Sequence, residues 1–553
     1  MRVSPLRLAL SAALVAGVAL MVPAQAAPVP NGATWTEEWI ESGDGTPLHA
    51  DVMLPEARKD GQKHPVILSI GPYFGSGSQG GLVWDPTNTG PSDRFADLIE
   101  GGRIFEKGYA YVMVDSRGYG SSGGCNDLGG PGEQMDVKAA VEWAAQQPWS
   151  NGKVGMWGKS YDAWTQVMGL ATNPKGLAAT VIQAPIIDGY RIAFENGVHW
   201  DYGWYITPGL YANYDLIPPS LGDGTPEEFA NSTTGTATNP HCYALNMAST
   251  PNPDRESSYW KERDLVPAAS ASKVPSLWSF GFNDVNTKPT NIFDVYSKLK
   301  GPKRAWFGQW DHVRGNEDDK VGREGFMDEA MNWFDHYLKG KPLNKKLPKH
   351  EIQDGDGQWR AEAQYPPADA VGRTMPILEG SYTDERGNSA TNPTGSGTWT
   401  VSQPAPHDVR LAGLTKISVD ATTGPAGGNL IALLYDVAPD NSSRLITRGA
   451  YKLPASGVTS FEMWPADWKL PKGHRLALQL SGDDTTMYQP TYTLSTVTVN
   501  KGSLTLPLLT KLRTPNLVGE EAMAMATVPT PTLDEAALEG RSVKADFGKP
   551  MRR

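Results

Sequence analysis

Short apolar runs alternate with amphipathic segments along residues 34–341. The apolar, β-rich runs lie at 34–40, 48–53, 64–70, 110–114, 154–157, 178–183, 275–280 and 304–307. Apolar residues at helical spacing follow most of them, at 132–147, 162–171, 291–299 and 326–338. Because strands that alternate with helices build parallel sheets, the pattern predicts a parallel sheet with helices on both faces.

The alternation is interrupted once, over about residues 188–272. This segment has no clear strand–helix unit and is rich in tyrosine and tryptophan. An insertion at the carboxyl edge of a parallel sheet lies over the place where such sheets bind ligands. The segment is therefore predicted to be a cap, and most of its aromatic side chains are expected to form the core of the cap itself.

The pattern changes again in the last third of the chain. Residues 376–510 contain short strands separated by turn residues, which predict an all-β domain of the sandwich or jelly-roll type. The preceding residues 342–375 are polar and interrupted by Pro and Gly, so they are predicted to be a linker. Residues 511–553 lack periodicity and are predicted to form an extended tail.

The N-terminus indicates export. Arg2 and Arg7 precede or border an apolar run at 8–22, and an Ala-x-Ala pattern ends at Ala26. Residues 1–26 are therefore predicted to be a secretory signal peptide, and the mature protein to be secreted and free of the membrane. The formal charge of the 553-residue chain is -11, which argues against a nucleic-acid partner, since such surfaces are basic.

Two cysteines occur, Cys125 and Cys242. In an exported protein, one disulfide between them is favoured over two free thiols. Two cysteines without a Cys-x-x-Cys spacing do not indicate a zinc site.

Ser160 is the first candidate for chemistry. It follows the apolar run 154–157 in the sequence Gly158-Lys-Ser160-Tyr161 and precedes a helical pattern. A serine on a sharp strand-to-helix turn exposes its hydroxyl, and the backbone N–H of Tyr161 then points where an oxyanion forms. The motif alone is weak evidence, because Gly-x-Ser is common.

A serine nucleophile needs a histidine base and a carboxylate that orients the base. Of nine histidines, only His312 follows the serine and lies just past the end of a predicted strand. Asp284 lies just past the preceding predicted strand, whereas Asp311 directly precedes His312. Asp284 is favoured, because sequence neighbours rarely orient each other in the required way, but Asp311 remains an alternative.

The second oxyanion donor usually comes from the loop after an early strand. Here that loop contains Tyr73, whose hydroxyl can replace a backbone N–H. The alternative is a tyrosine that packs or lines the substrate site.

These residues resemble a known family, the X-prolyl dipeptidyl-peptidase and cocaine-esterase group of serine hydrolases, which includes glutaryl acylases and α-amino-acid ester hydrolases. The resemblance rests on Gly158-Lys-Ser-Tyr-Asp-Ala163, where the family has a final Gly, and on Gly71-Pro-Tyr73. Further matches are Asp44-Gly-Thr-Pro-Leu-His-Ala-Asp-Val, Asp115-Ser-Arg-Gly-Tyr-Gly-Ser-Ser-Gly, Gly308-Gln-Trp-Asp-His312 and Lys472-Gly-His-Arg-Leu-Ala-Leu-Gln-Leu-Ser-Gly.

The resemblance implies an α/β-hydrolase fold over residues 34–341 with a helical cap, followed by a C-terminal jelly-roll domain. It implies Ser160 as nucleophile, Asp284 as orienting carboxylate and His312 as base, with an oxyanion hole made by the Tyr73 hydroxyl and the Tyr161 N–H. It implies no metal or organic cofactor.

The substrate is expected to be a small peptide or ester. The family name favours X-prolyl dipeptidyl-peptidase activity, for which cap carboxylates, Glu195, Asp201 and Asp215, are candidates to bind the substrate ammonium. An esterase or acylase is the alternative, and a non-catalytic protein that binds carbohydrate or cell wall is a remote one. The sequence does not indicate an oligomeric state.

Overall fold

The computed structural model describes residues 28–74, 90–120, 122–200, 240–290, 292–390, 393, 397–454, 456–489, 491, 493–523 and 529–552, leaving aside the side chains of 240–243. The predicted signal peptide therefore lies outside the described residues. Among the described residues, no helix is long and apolar enough to span a bilayer.

A ten-stranded sheet forms the centre of the N-terminal domain. Its strands, in chain order, are β1 (Ala33–Glu41), β2 (Pro47–Pro55), β3 (His64–Gly71), β4 (Ala110–Asp115), β5 (Ser150–Lys159), β6 (Leu177–Gln183), β9 (Ser276–Gly281), β10 (Lys303–Gly308), β11 (His350–Gln353) and β12 (Trp359–Glu362). Their spatial order is β1-β2-β4-β3-β5-β6-β9-β10-β11-β12. The strands from β4 to β11 in this order are parallel, as predicted.

Helices cover both faces of the sheet. The main ones are α1 (Ala96–Gly102), α2 (Pro131–Gln146), α3 (Tyr161–Thr172) and α10 (Phe326–Lys339). α3 packs against α2, whereas α10 packs against α1. Short helices α8 (Ile292–Tyr296) and α9 (Asp318–Val321) lie in the connections around β10.

Burial explains the composition of the central strands. Every residue of β3 and of β4 is buried, so these strands are almost continuously apolar. α10 is amphipathic and turns Phe334 onto β5, where a Cβ on Gly155 would lie 2.6 Å from the Phe334 ring. A glycine is therefore required where the helix approaches the strand most closely.

The predicted cap is described only at its two ends. These contain α4 (Gly189–Ala193), β7 (Phe194–Glu195), β8 (Val198–His199), α5 (Pro240–Ser249), α6 (Ser258–Lys261) and α7 (Val266–Ser270). Tyr190 stacks on Phe194 with ring centroids 5.1 Å apart, and both contact Trp260. Within the described ends, these aromatics form a core of the cap, as expected. The aromatic residues at 202–214 of the predicted cap lie outside the described residues.

The predicted linker at 342–375 is wrong as a description of residues 350–362. This stretch forms β11 and β12, which extend the main sheet beyond β10. Two buried ion pairs then join it to the C-terminal domain: Arg360 contacts Asp467 through two N···O contacts of 2.9 and 2.5 Å, and Arg410 contacts Asp354 at 2.5 Å.

The C-terminal domain consists of two five-stranded sheets. Its strands are β13 (Ala370–Ile377), β14 (Gly380–Thr383), β15 (Gly397–Ser402), β16 (Val409–Thr422), β17 (Gly428–Val437), β18 (Ser443–Leu453), β19 (Ser456–Leu470), β20 (Arg475–Ser481), β21 (Thr496–Leu509) and β22 (Ser542–Val543). One sheet has the order β13-β21-β16-β19 with β14 also on β21, and the other has the order β18-β17-β20-β15-β22. The all-β prediction is confirmed, while the jelly-roll topology stays a prediction.

Residues 516–520 hydrogen-bond to Trp359 and Gly322 of the N-terminal domain. The stretch 529–552 packs onto the β domain. It contains α11 (Glu535–Leu538), and β22 pairs in parallel with β15. Leu533 and Phe547 are buried. The tail predicted to be extended is thus mostly irregular, and buried apolar residues of its last part hold that part on the β domain.

Candidate active site

Ser160 lies on a strained turn between β5 and α3. Its φ and ψ angles are 65° and −121°, a region that non-glycine residues rarely adopt, and its exposed fraction is 8 %. The Ser160 N–H donates to the Gln183 carbonyl at 3.0 Å, and the Ser160 carbonyl accepts the first helical N–H groups of α3. A Cβ on Gly158 would lie 2.5 Å from the Asp162 carbonyl, so the turn closes only with glycine there.

Residues after the serine begin the helix and hold the turn in place. The Tyr161 side chain is fully buried, and its hydroxyl contacts both carboxylate oxygens of Glu133, at 2.7 and 2.8 Å. Ala163 is also fully buried. It occupies the position at which the family that this sequence resembles has glycine. Its small side chain keeps the close packing of this turn.

Asp284 and His312 form a hydrogen-bonded pair after neighbouring strands. Asp284 follows β9, His312 follows β10, and Asp284 Oδ2 lies 2.9 Å from His312 Nδ1. The Asp284 carboxylate is fully buried and also accepts the N–H groups of Asn286 and Thr287 and the Thr287 hydroxyl, each at 2.9 Å. Burial alone raises the pKa of Asp284, but His312 and these donors outweigh it and hold the pKa below its usual value.

Asp311 makes different contacts. Its carboxylate accepts backbone N–H groups, that of Val285 at 3.1 Å and that of His312 itself. Burial and the nearby charge of Asp284 raise the pKa of Asp311. Of the two aspartates that the sequence left open, Asp284 is therefore the one that contacts the imidazole ring.

Gln183 joins the serine turn to the histidine loop. Its carbonyl accepts the Ser160 N–H, and its side-chain Oε1 accepts the Gly315 N–H at 2.7 Å. β6, which ends at Gln183, lies between β5 and β9 in the sheet, so the three loops meet at one edge. Sequence reasoning missed this residue, although a buried polar residue at the end of an apolar strand was a usable signal.

Tyr73 lies two residues past the end of β3, at the same edge. It is partly buried, and its ring meets the Tyr161 ring edge to face with centroids 6.4 Å apart. Gly71 at the end of β3 pairs with Asp115 of β4, so the Tyr73 loop leaves the sheet beside β5. The structure therefore brings Tyr73 next to the serine turn.

Glu195 does not have the role considered for it. Its carboxylate is buried and accepts hydrogen bonds from Tyr488 Oη at 2.7 Å, Trp464 Nε1 at 3.1 Å and Ala450 N at 3.1 Å. These partners belong to the C-terminal domain, so Glu195 fastens the cap to that domain instead of facing a substrate ammonium. Asp201 and Asp215 lie outside the described residues.

Cys125 takes part in a disulfide bond. The side chain of Cys242, the only other cysteine of the sequence, lies outside the described residues. The pairing of Cys125 with Cys242 therefore stays a prediction.

Within the described residues, one group of side chains has ligand atoms close enough together for a metal ion: Glu37, His49 and Asp51. His49 there contacts Asp115 at 3.0 Å and Glu37 at 3.1 Å, and Trp35 donates to Asp51. These contacts already give the buried charges partners. The group lies on β1 and β2, at the far end of the sheet from β10.

A cavity of about 360 Å³ lies between the aspartate and histidine loops and the C-terminal domain. Val285 and Asp311 line one side, and Leu445, Ile446 and Trp464 line the other. Polar side chains also line it, among them Asn283, Thr447 and Arg448.

Comparisons with known proteins identify both domains of the chain. Residues 44–314 match the family model of X-Pro dipeptidyl-peptidase (S15 family), and residues 343–526 match that of the X-Pro dipeptidyl-peptidase C-terminal non-catalytic domain. A putative Xaa-Pro dipeptidyl-peptidase of Streptomyces avermitilis is 25% identical over 96% of this chain and 90% of its own length. The Xaa-Pro dipeptidyl-peptidase of Lacticaseibacillus rhamnosus is 23% identical over 86% of this chain and 76% of its own length.

Solved structures show the same fold. An α-amino acid ester hydrolase superposes with a TM-score of 0.67 at 19% identity, covering 86% of this chain and 97% of the other. A CocE/NonD family hydrolase of Staphylococcus aureus gives 0.66 at 17% identity, covering 87% and 97%. The α/β-hydrolase fold with a C-terminal β domain is thereby established. Through both of its domains, the chain belongs to the X-Pro dipeptidyl-peptidase (S15) family and is a serine hydrolase.

Proposed function

We propose that this serine hydrolase cleaves an amide or ester bond through an acyl-enzyme on Ser160, and that its substrates are peptides with proline in the second position. The observation that carries the mechanism is the contact of 2.9 Å between the buried Asp284 and His312, on loops that meet the Ser160 turn at Gln183. The matching family models and the Xaa-Pro dipeptidyl-peptidases among its relatives support the substrate.

In this mechanism His312 Nε2 takes the proton of the Ser160 hydroxyl as the oxygen attacks the substrate carbonyl. Asp284 holds the proton on Nδ1, so that Nε2 is free to act as base. The hydroxyl of Tyr73 and the N–H of Tyr161 stabilise the oxyanion. His312 then protonates the leaving amine or alcohol, and a water molecule, deprotonated by His312, releases the acyl group.

An esterase or acylase is the second candidate. Glu195, one of the carboxylates considered for the substrate ammonium, is fully engaged with Ala450, Trp464 and Tyr488. An ester substrate without a free ammonium does not need the Glu195 carboxylate as a binding partner.

The substrate test is a panel of chromogenic compounds with the mature protein: Gly-Pro and Ala-Pro anilides, the same anilides blocked at the amino group, and short-chain aryl esters. We expect cleavage of the unblocked prolyl anilides only. Cleavage of esters alone would instead identify an esterase or acylase. Ser160→Ala is the control and is expected to be inactive on every compound.

We also propose that the protein is exported and that its signal peptide ends at Ala26. The charged start, the apolar run at 8–22 and the Ala-x-Ala pattern support this proposal. Expression of the full gene should yield protein in the medium whose N-terminus is residue 27, as determined by N-terminal sequencing. Retention of residues 1–26 in secreted protein would contradict the cleavage site.

A further inference from the structure

Arg94 lies where three parts of the site meet. Its Nε and Nη2 donate to Asp162 Oδ2 on the serine helix at 2.9 and 2.7 Å. The centre of its guanidinium lies 3.9 Å from the centroid of the Tyr73 ring. Its carbonyl accepts Arg314 Nη2 at 3.0 Å, and Arg314 is two residues past His312.

The anchor of Arg94 is built into the fold. Asp162 is fully buried, and the next residues of its helix are buried as well. A Cβ on Gly71 would lie 1.7 Å from Asp162 Oδ1, so the carboxylate fits beneath the start of the Tyr73 loop only because residue 71 is glycine. The position of the guanidinium is thus fixed from the serine helix.

The stacking of Arg94 on Tyr73 has two physical consequences. A planar guanidinium held by a buried carboxylate restricts the rotation of the ring that it covers. A positive charge over the ring face is attracted to the π electrons and withdraws electron density from the phenol, which strengthens the hydroxyl as a hydrogen-bond donor. Both effects act on the Tyr73 hydroxyl, which is the proposed donor to the oxyanion. Such a donor is most effective when it is oriented before the reaction begins.

We propose that Arg94 is a positioning residue of the reaction: anchored by Asp162, it holds the Tyr73 ring so that the hydroxyl keeps one orientation toward the developing oxyanion. This inference rests on the proposed function, since it takes Tyr73 as an oxyanion donor.

A double-mutant cycle between Arg94 and Tyr73 tests the proposal. Arg94→Lys keeps the charge but loses the planar stack, and it should lower kcat about 10- to 100-fold with KM changed less than about threefold. Tyr73→Phe should lower kcat about 100-fold or more. In the Tyr73→Phe background, Arg94→Lys should cost less than about threefold, because the hydroxyl that it orients is already gone.

Two further variants complete the design. Arg444→Lys makes the same change at a guanidinium that stacks on Trp468 at 4.6 Å in the C-terminal domain, and it should leave kcat within about twofold. If Arg94→Lys fails to fold, Arg94→Met combined with Asp162→Asn removes both charges of the buried pair together, which costs less than removing one. The same cycle is then run with that variant.

The results separate this inference from the function on which it rests. Equal losses from the Arg94 change in both backgrounds, or an Arg94→Lys enzyme with unchanged kcat, would overturn the positioning role while leaving the mechanism intact. A Tyr73→Phe enzyme with unchanged kcat would instead remove Tyr73 from the oxyanion hole.

Discussion

Two aspartates flank His312, and their contacts give them different roles. Asp284 contacts the ring nitrogen and accepts three further hydrogen bonds, so its carboxylate is fixed and stays ionised. Asp311 contacts only backbone N–H groups among the hydrogen bonds described for its side chain. The orientation of the imidazole should therefore depend on Asp284 alone.

Asp284→Asn should lower kcat about 1,000- to 10,000-fold, because an amide stabilises the wrong tautomer of His312 and no longer balances the imidazolium. Asp311→Asn is the matched control and should stay within about threefold of the unchanged enzyme. Steady-state kinetics on one chromogenic substrate measures both. A large loss from Asp311→Asn together with a small one from Asp284→Asn would reverse the assignment.

The order of residues and the ends of the strands were sufficient to select Ser160, Asp284 and His312 as candidates, because parallel strands deliver their following loops to one edge. Arg94 was not accessible in this way. Its contact with Asp162 joins residues 68 positions apart, and a lone arginine between strands has no sequence signal. For Gln183, the sequence shows the position at the end of a strand but does not show its two hydrogen-bond partners, Ser160 and Gly315.

At the scale of elements, the serine turn depends on a glycine contact. Gly158→Ala places a methyl group 2.5 Å from the Asp162 carbonyl and 2.7 Å from its carbon, both backbone atoms that cannot move without opening the turn. We expect a loss of about 1–3 kcal/mol in the free energy of unfolding and a large loss of activity.

Gly43→Ala is the control for this change. Its added methyl group would meet only Met135 side-chain atoms at 3.5 Å or more, which is ordinary contact. Denaturant unfolding and activity assays compare the two variants. Equal stability and activity in both would show that the turn tolerates a side chain at residue 158.

Glu329 links α10 to β10 and should make stability depend on pH. It accepts hydrogen bonds from Trp306 Nε1 at 2.8 Å and Arg304 Nη1 at 3.2 Å. Burial first, and then the charge of Glu351, raise its pKa from 4.5 to about 7 against these donors. Between these two pH values the folded protein holds a proton that the unfolded chain has released, so the contribution to stability falls as pH rises toward 7.

This group should therefore account for up to about 3 kcal/mol of stability lost between pH 5 and pH 8. Glu329→Gln should flatten that part of the profile, while Asp328→Asn, an exposed neighbour on α10, should not. Melting temperatures at several pH values give the profiles. Identical profiles for Glu329→Gln and the unchanged protein would contradict the raised pKa.

The alternation of strands and helices was readable because the buried strands are apolar and the helices amphipathic. β11 and β12 were missed because they lack this apolar pattern. Each has four residues, with sequences His-Glu-Ile-Gln and Trp-Arg-Ala-Glu, and their buried polar side chains are paired by tertiary contacts such as that of Arg360 with Asp467. A short polar strand of this kind is indistinguishable from a loop until its partners are known.

Across the whole molecule, Glu195 is a buried polar link between the described part of the cap and the C-terminal domain. Lys288, whose pKa burial lowers to about 8, faces it, and three donors from the β domain surround it. Glu195→Gln removes the charge opposite Lys288 and turns an amide N–H₂ toward donors. We expect a loss of about 3 kcal/mol in the free energy of unfolding.

Differential scanning calorimetry should show this loss as a lower melting temperature, whereas Glu56→Gln, an exposed change of the same chemistry, should have no effect. An unchanged melting temperature for Glu195→Gln would mean that the two domains are held together without this carboxylate.

Ser160 is the proposed nucleophile, and His312 is the proposed base that activates it. The most direct measurement is the reaction of the folded protein with a fluorophosphonate, followed by mass spectrometry of its peptides. We expect one adduct, on Ser160, that is absent in Ser160→Ala and forms at least about 100-fold more slowly in His312→Ala. An adduct on another residue, or equal labelling of Ser160→Ala, would contradict it.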